Sequence, residues 1–173
     1  MNRLNIVLIV LILVLSAFFI YDYLNRPKTA YVIIGEVFNE FSMKKDLEKK
    51  YTATKNVRQK VLDSIAIDLR ILTKKIDIEK GKNEESVNNY NLKREEFYQK
   101  QKNFQQDNEA LTKQYDQEIL TQLNQYVKDY GKENHYQYIF GNDNNGSLMY
   151  AEETKNLTKQ ITEYINQKYK GLK

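Results

Sequence analysis

Between Gly35 and Gly81 the chain contains no Pro or Gly, and between Gly81 and Gly131 it again contains neither. Stretches of this length without a helix breaker restrict the chain to long helices, because Pro and Gly are the residues that cost a helix most. The apolar positions agree. Over residues 44–80 they fall at Leu47, Tyr51, Val61, Ile65, Leu69, Leu72 and Ile76, spaced by threes, fours and sums of these along one helical face. A second face over residues 86–130 carries Phe97, Phe104, Leu111, Tyr115, Ile119, Leu123, Tyr126 and Tyr130. Between them, residues 81–86 read Gly-Lys-Asn-Glu-Glu-Ser, with Gly81 suited to a C-cap and Asn83 or Ser86 able to cap the next helix. Two long helices joined by so short a link must lie antiparallel. At 1.5 Å per residue they span about 55 Å and about 65 Å.

The seam of this hairpin is thin. Residues 98–107 read YQKQKNFQQD, with Phe104 the main apolar residue for a turn on either side. Leu, Ile, Val and Phe make up only about 22% of residues 25–173, near the level at which a chain struggles to form a compact core. The hairpin is therefore expected to be a loosely packed, flexible arm. Its basic run, Lys44, Lys45, Lys49, Lys50, Lys55, Arg58 and Lys60, reads as a solvated face or as an attraction for an acidic partner. A formal net charge of +4 over 173 residues is too weak a basic balance for a nucleic-acid binder.

The segments around the arm have a different period. Ala30-Tyr-Val-Ile-Ile-Gly35 is a short β-branched run and reads as a strand, after which Val37, Phe38 and Phe41 recur at helical spacing from about Glu36. Residues 136–140 and 147–151 flank a Gly-Asn-rich stretch at residues 141–146 that suits a β-hairpin turn. A closing helix over residues 154–169 carries Leu157, Ile161, Ile165 and Tyr169 on one face, with Thr154 placed to cap it. Pairing the first strand with the later hairpin leaves the arm as an insertion. The fold class is α+β, mostly α: a long helical hairpin inserted into a small β body. The expected organisation is a leader over residues 1–29, a body from residues 30–43 and 132–173, and an arm over residues 44–131 with its tip near 81–86. So small a sheet has edges to bury, commonly by oligomerisation.

Residues 6–21 are apolar except for Ser16, with Arg3 before them and Asp22, Arg26 and Pro27 after. This stretch covers most of a bilayer core of about 30 Å, and the small residues that mark signal cleavage are poorly placed. Residues 4–24 thus read as an uncleaved transmembrane anchor or a cleaved signal peptide, with the rest of the chain exported.

Chemistry-bearing constellations are sparse. The absence of Cys excludes thiol catalysis, disulfides and Cys-based zinc sites. His135 is the only histidine and has no partner at a recognisable catalytic spacing, so it reads as a capping or surface residue. The Asn-Asp-Asn-Asn-Gly run at residues 142–146 lacks the further Gly and the twelfth-position Glu of a calcium loop. The chain is expected to be no enzyme, with no metal and no cofactor.

Ala30-Tyr-Val, Val37-Phe-Asn-Glu-Phe41, the polar helical hairpin, Tyr136-Gln-Tyr-Ile-Phe140, Leu148-Met-Tyr-Ala151 and the closing helix together resemble the Skp/OmpH family of periplasmic chaperones. The resemblance covers about residues 30–170. It implies a homotrimer, held by a small β body, with three arms around a cavity that receives unfolded or nascent outer-membrane proteins without ATP. It places the protein on the periplasmic side of the cell envelope, anchored in the inner membrane by residues 4–24 or soluble after cleavage. Tyr31, Val32, Ile34, Val37, Phe38, Phe41, Tyr138, Phe140, Leu148 and Tyr150 are the oligomerisation-body candidates. Tyr90, Phe97, Phe104 and Tyr115 are the candidate client contacts on the arm. The anchor-like leader and the modest charge set this chain apart from the usual released, strongly basic members. A rival reading is a membrane-anchored coiled-coil stalk or adaptor resembling the b subunit of ATP synthase.

Overall fold

The computed structural model describes residues 3–143 and 145–171, without the side chains of residues 3–7, 9, 10 and 23–25. Parts of the expected leader (Met1, Asn2), turn (Asn144) and C-terminal body (Leu172, Lys173) lie outside the described residues. The element order is α1 (Arg3–Asn25), β1 (Thr29–Ile33), α2 (Ile34–Glu40), α3 (Ser42–Ile78), α4 (Glu84–Glu133), β2 (Tyr138–Asn142), a 3-10 turn (Glu153–Lys155) and α5 (Thr158–Gly171). The chain divides into two compact units, Met1–Val37 with Val127–Ile161, and Phe38–Tyr126 with Thr162–Lys173.

The first unit is organised by β1. Ala30, Tyr31 and Val32 are buried at its centre. One edge pairs in parallel with β2, from Thr29↔Tyr138 to Ile33↔Asn142. On the other edge the Tyr31 carbonyl accepts a 2.9 Å bond from the Leu157 N–H, and the Thr158 hydroxyl accepts one of 3.0 Å from the Ile33 N–H. Parallel strands need a long crossover between them, and here everything from α2 to α4 supplies it. Gly141 in β2 leaves room for the Ile34 side chain, since a Cβ there would stand 2.5 Å from Ile34 Cδ1.

Two expectations are corrected in this unit. The hairpin closing at residues 141–146 does not form, and residues 147–151 carry no strand. Gly141 and Asn142 are consumed by β2, and the Asp143 carboxylate then folds the chain locally. It accepts bonds from the Asn145 N–H at 3.0 Å and the Ser147 hydroxyl at 3.2 Å. A six-residue link also lacks the two-residue turn geometry that pins a hairpin register. Nor does Thr154 start the last helix. It sits in the 3-10 turn, and Asn156 Oδ1 accepts the Thr158 N–H at 3.0 Å where α5 begins.

α1 is a continuous 23-residue helix. Its described side chains, residue 8 and residues 11–22, are all exposed. Over the residues whose side chains are described, no helix stretch is long and apolar enough to cross a membrane.

The second unit holds α3, α4 as far as Tyr126, and the last turns of α5. The Arg58–Asp107 and Asp68–Lys93 ion pairs run in opposite directions along the two long helices, which are therefore antiparallel. Leu47, Ile65, Ile119, Leu123 and Tyr126 are buried. Phe41 interrupts α2 and α3 in an extended conformation (φ −68°, ψ 124°) and is fully buried. Its ring meets Tyr126 at 6.2 Å and Tyr169 at 5.6 Å, both edge-on. The Asn166 side chain accepts from the Ser42 N–H (2.7 Å) and donates to the Glu40 carbonyl (3.2 Å), satisfying backbone groups that the break exposes.

Both long helices end in the same motif. After α3, Gly81 N–H bonds to the Ile76 carbonyl (2.9 Å) and Lys80 N–H to that of Asp77 (3.2 Å), with Lys80 left-handed at φ 52°. After α4, Tyr136 bonds to Gly131 (2.9 Å) and His135 to Lys132 (3.3 Å), with His135 at φ 58°. These are Schellman caps whose left-handed residue is not glycine. Asn83, the first of the two expected cap residues, starts α4 by accepting the Glu85 and Ser86 N–H groups at 3.1 and 3.3 Å. Because an L-residue with a side chain pays roughly 1 kcal/mol in this conformation, Lys80→Gly and His135→Gly should each raise stability by up to about that amount. Urea unfolding of the two variants measures it, and a loss of stability in both would contradict the cap assignment.

Candidate functional site

The long helices do not fill the space between them. On α3 the positions Tyr51, Arg58, Ile65 and Leu72 recur every seven residues, so Arg58 occupies a seam position where an apolar side chain would ordinarily stand. Opposite it lies the thin stretch of α4. Phe104 is the aromatic ring that α4 gives to the lining there, alongside Gln101, Gln105 and Asn108. The result is an open groove of about 610 Å³ lined by Tyr51, Lys55, Arg58, Leu62, Phe104 and Asn108, among others. A second groove of about 230 Å³ lies between Leu47, Tyr51, Tyr115 and Ile119, with Lys44 and Glu48 at its margin.

A polar clamp holds the thin seam together. The Arg58 guanidinium donates to Asp107 Oδ2 at 3.3 Å and to Asn108 Oδ1, and stands 5.8 Å over the Phe104 ring. Lys93 reaches Asp68 at 3.6 Å across the same pair of helices and Glu96 at 3.2 Å on its own helix. Its pKa is raised by Glu96 foremost, with Asp68 adding to the effect.

The four arm residues expected to meet clients separate in the structure. Phe104 lines the larger groove and Tyr115 the smaller. Tyr90 is half-buried beneath the Arg94 guanidinium at 5.8 Å, and Phe97 is half-buried edge-on to the more exposed Tyr98. Sequence reasoning placed Tyr51 on the apolar face and Arg58 in the basic run without joining them. The seven-residue interval between them is the signal that would have shown both to line one seam.

The body candidates also separate. Tyr31, Val32, Val37 and Phe41 are buried within their own chain. Ile34, Phe38 and Leu148 are half-buried. Tyr138, Phe140 and Tyr150 are exposed, by 59%, 49% and 83%, and Tyr138 and Phe140 stack on each other at 6.0 Å. The last three are thus the ones that another surface could cover; Tyr138 and Phe140 lie on β2, which pairs with β1 alone among the described residues, and Tyr150 lies in the segment after it.

Local electrostatics are mild. Burial raises the Tyr31 phenol pKa, and Glu153, whose carboxylate accepts a 3.2 Å hydrogen bond from the hydroxyl, raises it further. The Asp143 carboxyl is held below its usual value, first by the Asn145 N–H and then by the Asn145 side chain. Among the described residues no cluster of three His, Asp or Glu side chains able to hold a metal occurs.

The profile of the family described as "Outer membrane protein (OmpH-like)" matches residues 28–165. Among curated proteins none matches the chain. The fold is similar to a crystal structure of a candidate outer membrane chaperone (OmpH-like) from Caulobacter crescentus. The TM-score is 0.70 at 12% identity, over 82% of this chain and 85% of that one.

Two measurements test the site. Arg58→Ala should cost about 1 kcal/mol and speed amide exchange around residues 58 and 104–108, an effect that shrinks in high salt. Arg58→Leu should instead restore the apolar seam and slow that exchange, because a packed apolar side chain replaces a clamp partly offset by desolvation. The second concerns pH. A lowered Asp143 pKa means that the turn's stabilisation is complete above the ordinary value of 3.8 and is lost as pH falls below it through the folded-state value. The Asn145 amide resonance should shift in that window and stay constant in Asp143→Asn.

Proposed function

The chain belongs to the OmpH-like outer membrane protein family, and from that membership we propose that it is an ATP-independent holdase chaperone for unfolded outer-membrane proteins. The observation that carries the reading is the underfilled seam of the arm. Grooves of about 610 and 230 Å³, each with aromatic and aliphatic walls and a charged margin, offer an unfolded chain many weak contacts and no sequence-specific one. Several such contacts made together give avidity, and none requires covalent chemistry.

The working form in this reading is a homotrimer on the periplasmic side of the envelope. Exposed Tyr138, Phe140 and Tyr150 together with the outer edge of β2 would meet neighbouring copies, and buried Tyr31, Val32, Val37 and Phe41 would hold each copy in shape. Ile34, Phe38 and Leu148 complete the body, and Tyr90, Phe97, Phe104 and Tyr115 serve clients along the arm. Residues 1–29 form the leader, residues 30–43 and 132–173 the body, and residues 44–131 the arm. Residues 4–24 act as an inner-membrane anchor or as a cleaved signal. The stalk reading is disfavoured by the pairing of β1 with β2, which a continuous outward helix cannot make.

At stoichiometric amounts and without ATP, the protein should suppress the light scattering of an outer-membrane β-barrel protein diluted from urea. Undiminished scattering would overturn the chaperone reading. A chain starting at Asn25 should sediment as a trimer, and Tyr138→Ser with Phe140→Ser should dissociate it. A wild-type monomer or dimer would overturn the proposed body.

A further inference from the structure

The joint between α1 and the first strand is short and fastened. α1 ends at Asn25, and Arg26 is tied back to Asp22 by a 3.0 Å ion pair. Pro27 follows, with its φ fixed and no N–H to give. Lys28 is then held through its N–H, its carbonyl and its ammonium while remaining exposed. Its N–H donates to Gln137 Oε1 (2.5 Å), and its carbonyl accepts from the Gln137 N–H (3.0 Å). Its ammonium donates to the Asn134 carbonyl (3.0 Å) and lies 4.0 Å over the Tyr136 ring. Tyr136 in turn stacks on Tyr130 at 6.2 Å. Three residues of extended chain reach no more than about 11 Å, so Lys28 cannot move farther than that from the end of α1 and keeps its partners close to it.

The two sides of the joint differ in what they need. The described side chains of α1 are exposed, Leu11 by 53% and Phe19 by 68%, on a helix whose sequence from residue 6 to 21 is apolar except for Ser16. On the other side stand a lysine and two tyrosines, the kinds of side chain that settle at the boundary between lipid and water. Cleavage just before Tyr31 would also remove Lys28 and Ala30, the latter only 4% exposed in β1.

We propose that α1 stays in the lipid bilayer and that this joint docks the Lys28–Tyr136 end of the first unit on the headgroup layer. The folded part then rides on the membrane surface and does not swing from a loose tether. The inference rests on the anchor reading of residues 4–24 and adds to it a fixed lipid-facing surface.

The chain has no Cys, so a Lys132→Cys variant of the full protein takes one thiol fluorophore close to the joint. It is reconstituted in phosphatidylethanolamine–phosphatidylglycerol vesicles that carry a headgroup-attached quencher. A parallel sample has ten Gly-Ser residues inserted between Pro27 and Lys28. With the natural joint, quenching should be about twofold stronger than with the insertion, whose coil adds roughly 17 Å of reach. Equal quenching with α1 intact would overturn the docking alone. A membrane-fraction protein whose mass shows α1 removed would overturn the anchor reading and the docking together.

Discussion

The fold depends on β1 being satisfied on both edges. A five-residue strand with a buried centre cannot leave its backbone groups unpaired, and the chain supplies partners from far along the sequence. β2 takes one edge more than a hundred residues later, and Leu157 and Thr158 take the other. Because the pairing with β2 is parallel, the intervening chain must leave the sheet and return to it. Two long antiparallel helices meet that demand through their own hydrogen bonds and the seam between them. The arm is thus the crossover of a two-stranded sheet, enlarged to about a hundred residues.

Once the helices are so long, their composition sets how well they pack. A seam needs an apolar residue about every three and a half positions from each helix. Leu47, Ile65, Ile119 and Leu123 meet the requirement and are buried. Around Phe104 the requirement fails, and Arg58 closes the gap with a cation over the ring and polar bonds to Asp107 and Asn108. A clamp of this type keeps the helices in register while leaving a groove beside it. Loose packing and retained order are compatible because charge and hydrogen bonding act where volume does not.

Much of this was legible in the residues. The helix-breaker gaps and the apolar spacing marked both helices, the tip, and the closing helix, since helical periodicity is a local property repeated over many turns. The first strand was legible from its β-branched run. The hairpin at residues 136–151 was misread because Gly and Asn mark a bend without saying what the flanking segments pair with, and Asp143 makes that bend close on itself. His135 was recognised as a capping or surface residue. That it is a left-handed cap, matched by Lys80 at the other helix end, depends on a backbone angle that composition does not encode. At the site, Phe104 and Tyr115 line the two grooves. Their separation from Tyr90 and Phe97 followed from where the seam runs out of apolar partners on α3.

By itself, then, the amino-acid sequence determined the helices, their antiparallel return, the apolar stretch at residues 6–21 and the poverty of the seam, because each follows from local propensity or from short-range periodicity. Only the tertiary structure decided the parallel pairing of β1 with β2 and the closure of the α2–α3 break by Asn166 on Glu40 and Ser42. It alone placed Arg58 against Phe104 and fastened Lys28 to Gln137. These contacts join residues roughly 50 to 125 positions apart, and which of many chemically suitable partners a group finds is settled only when the whole chain is folded around it.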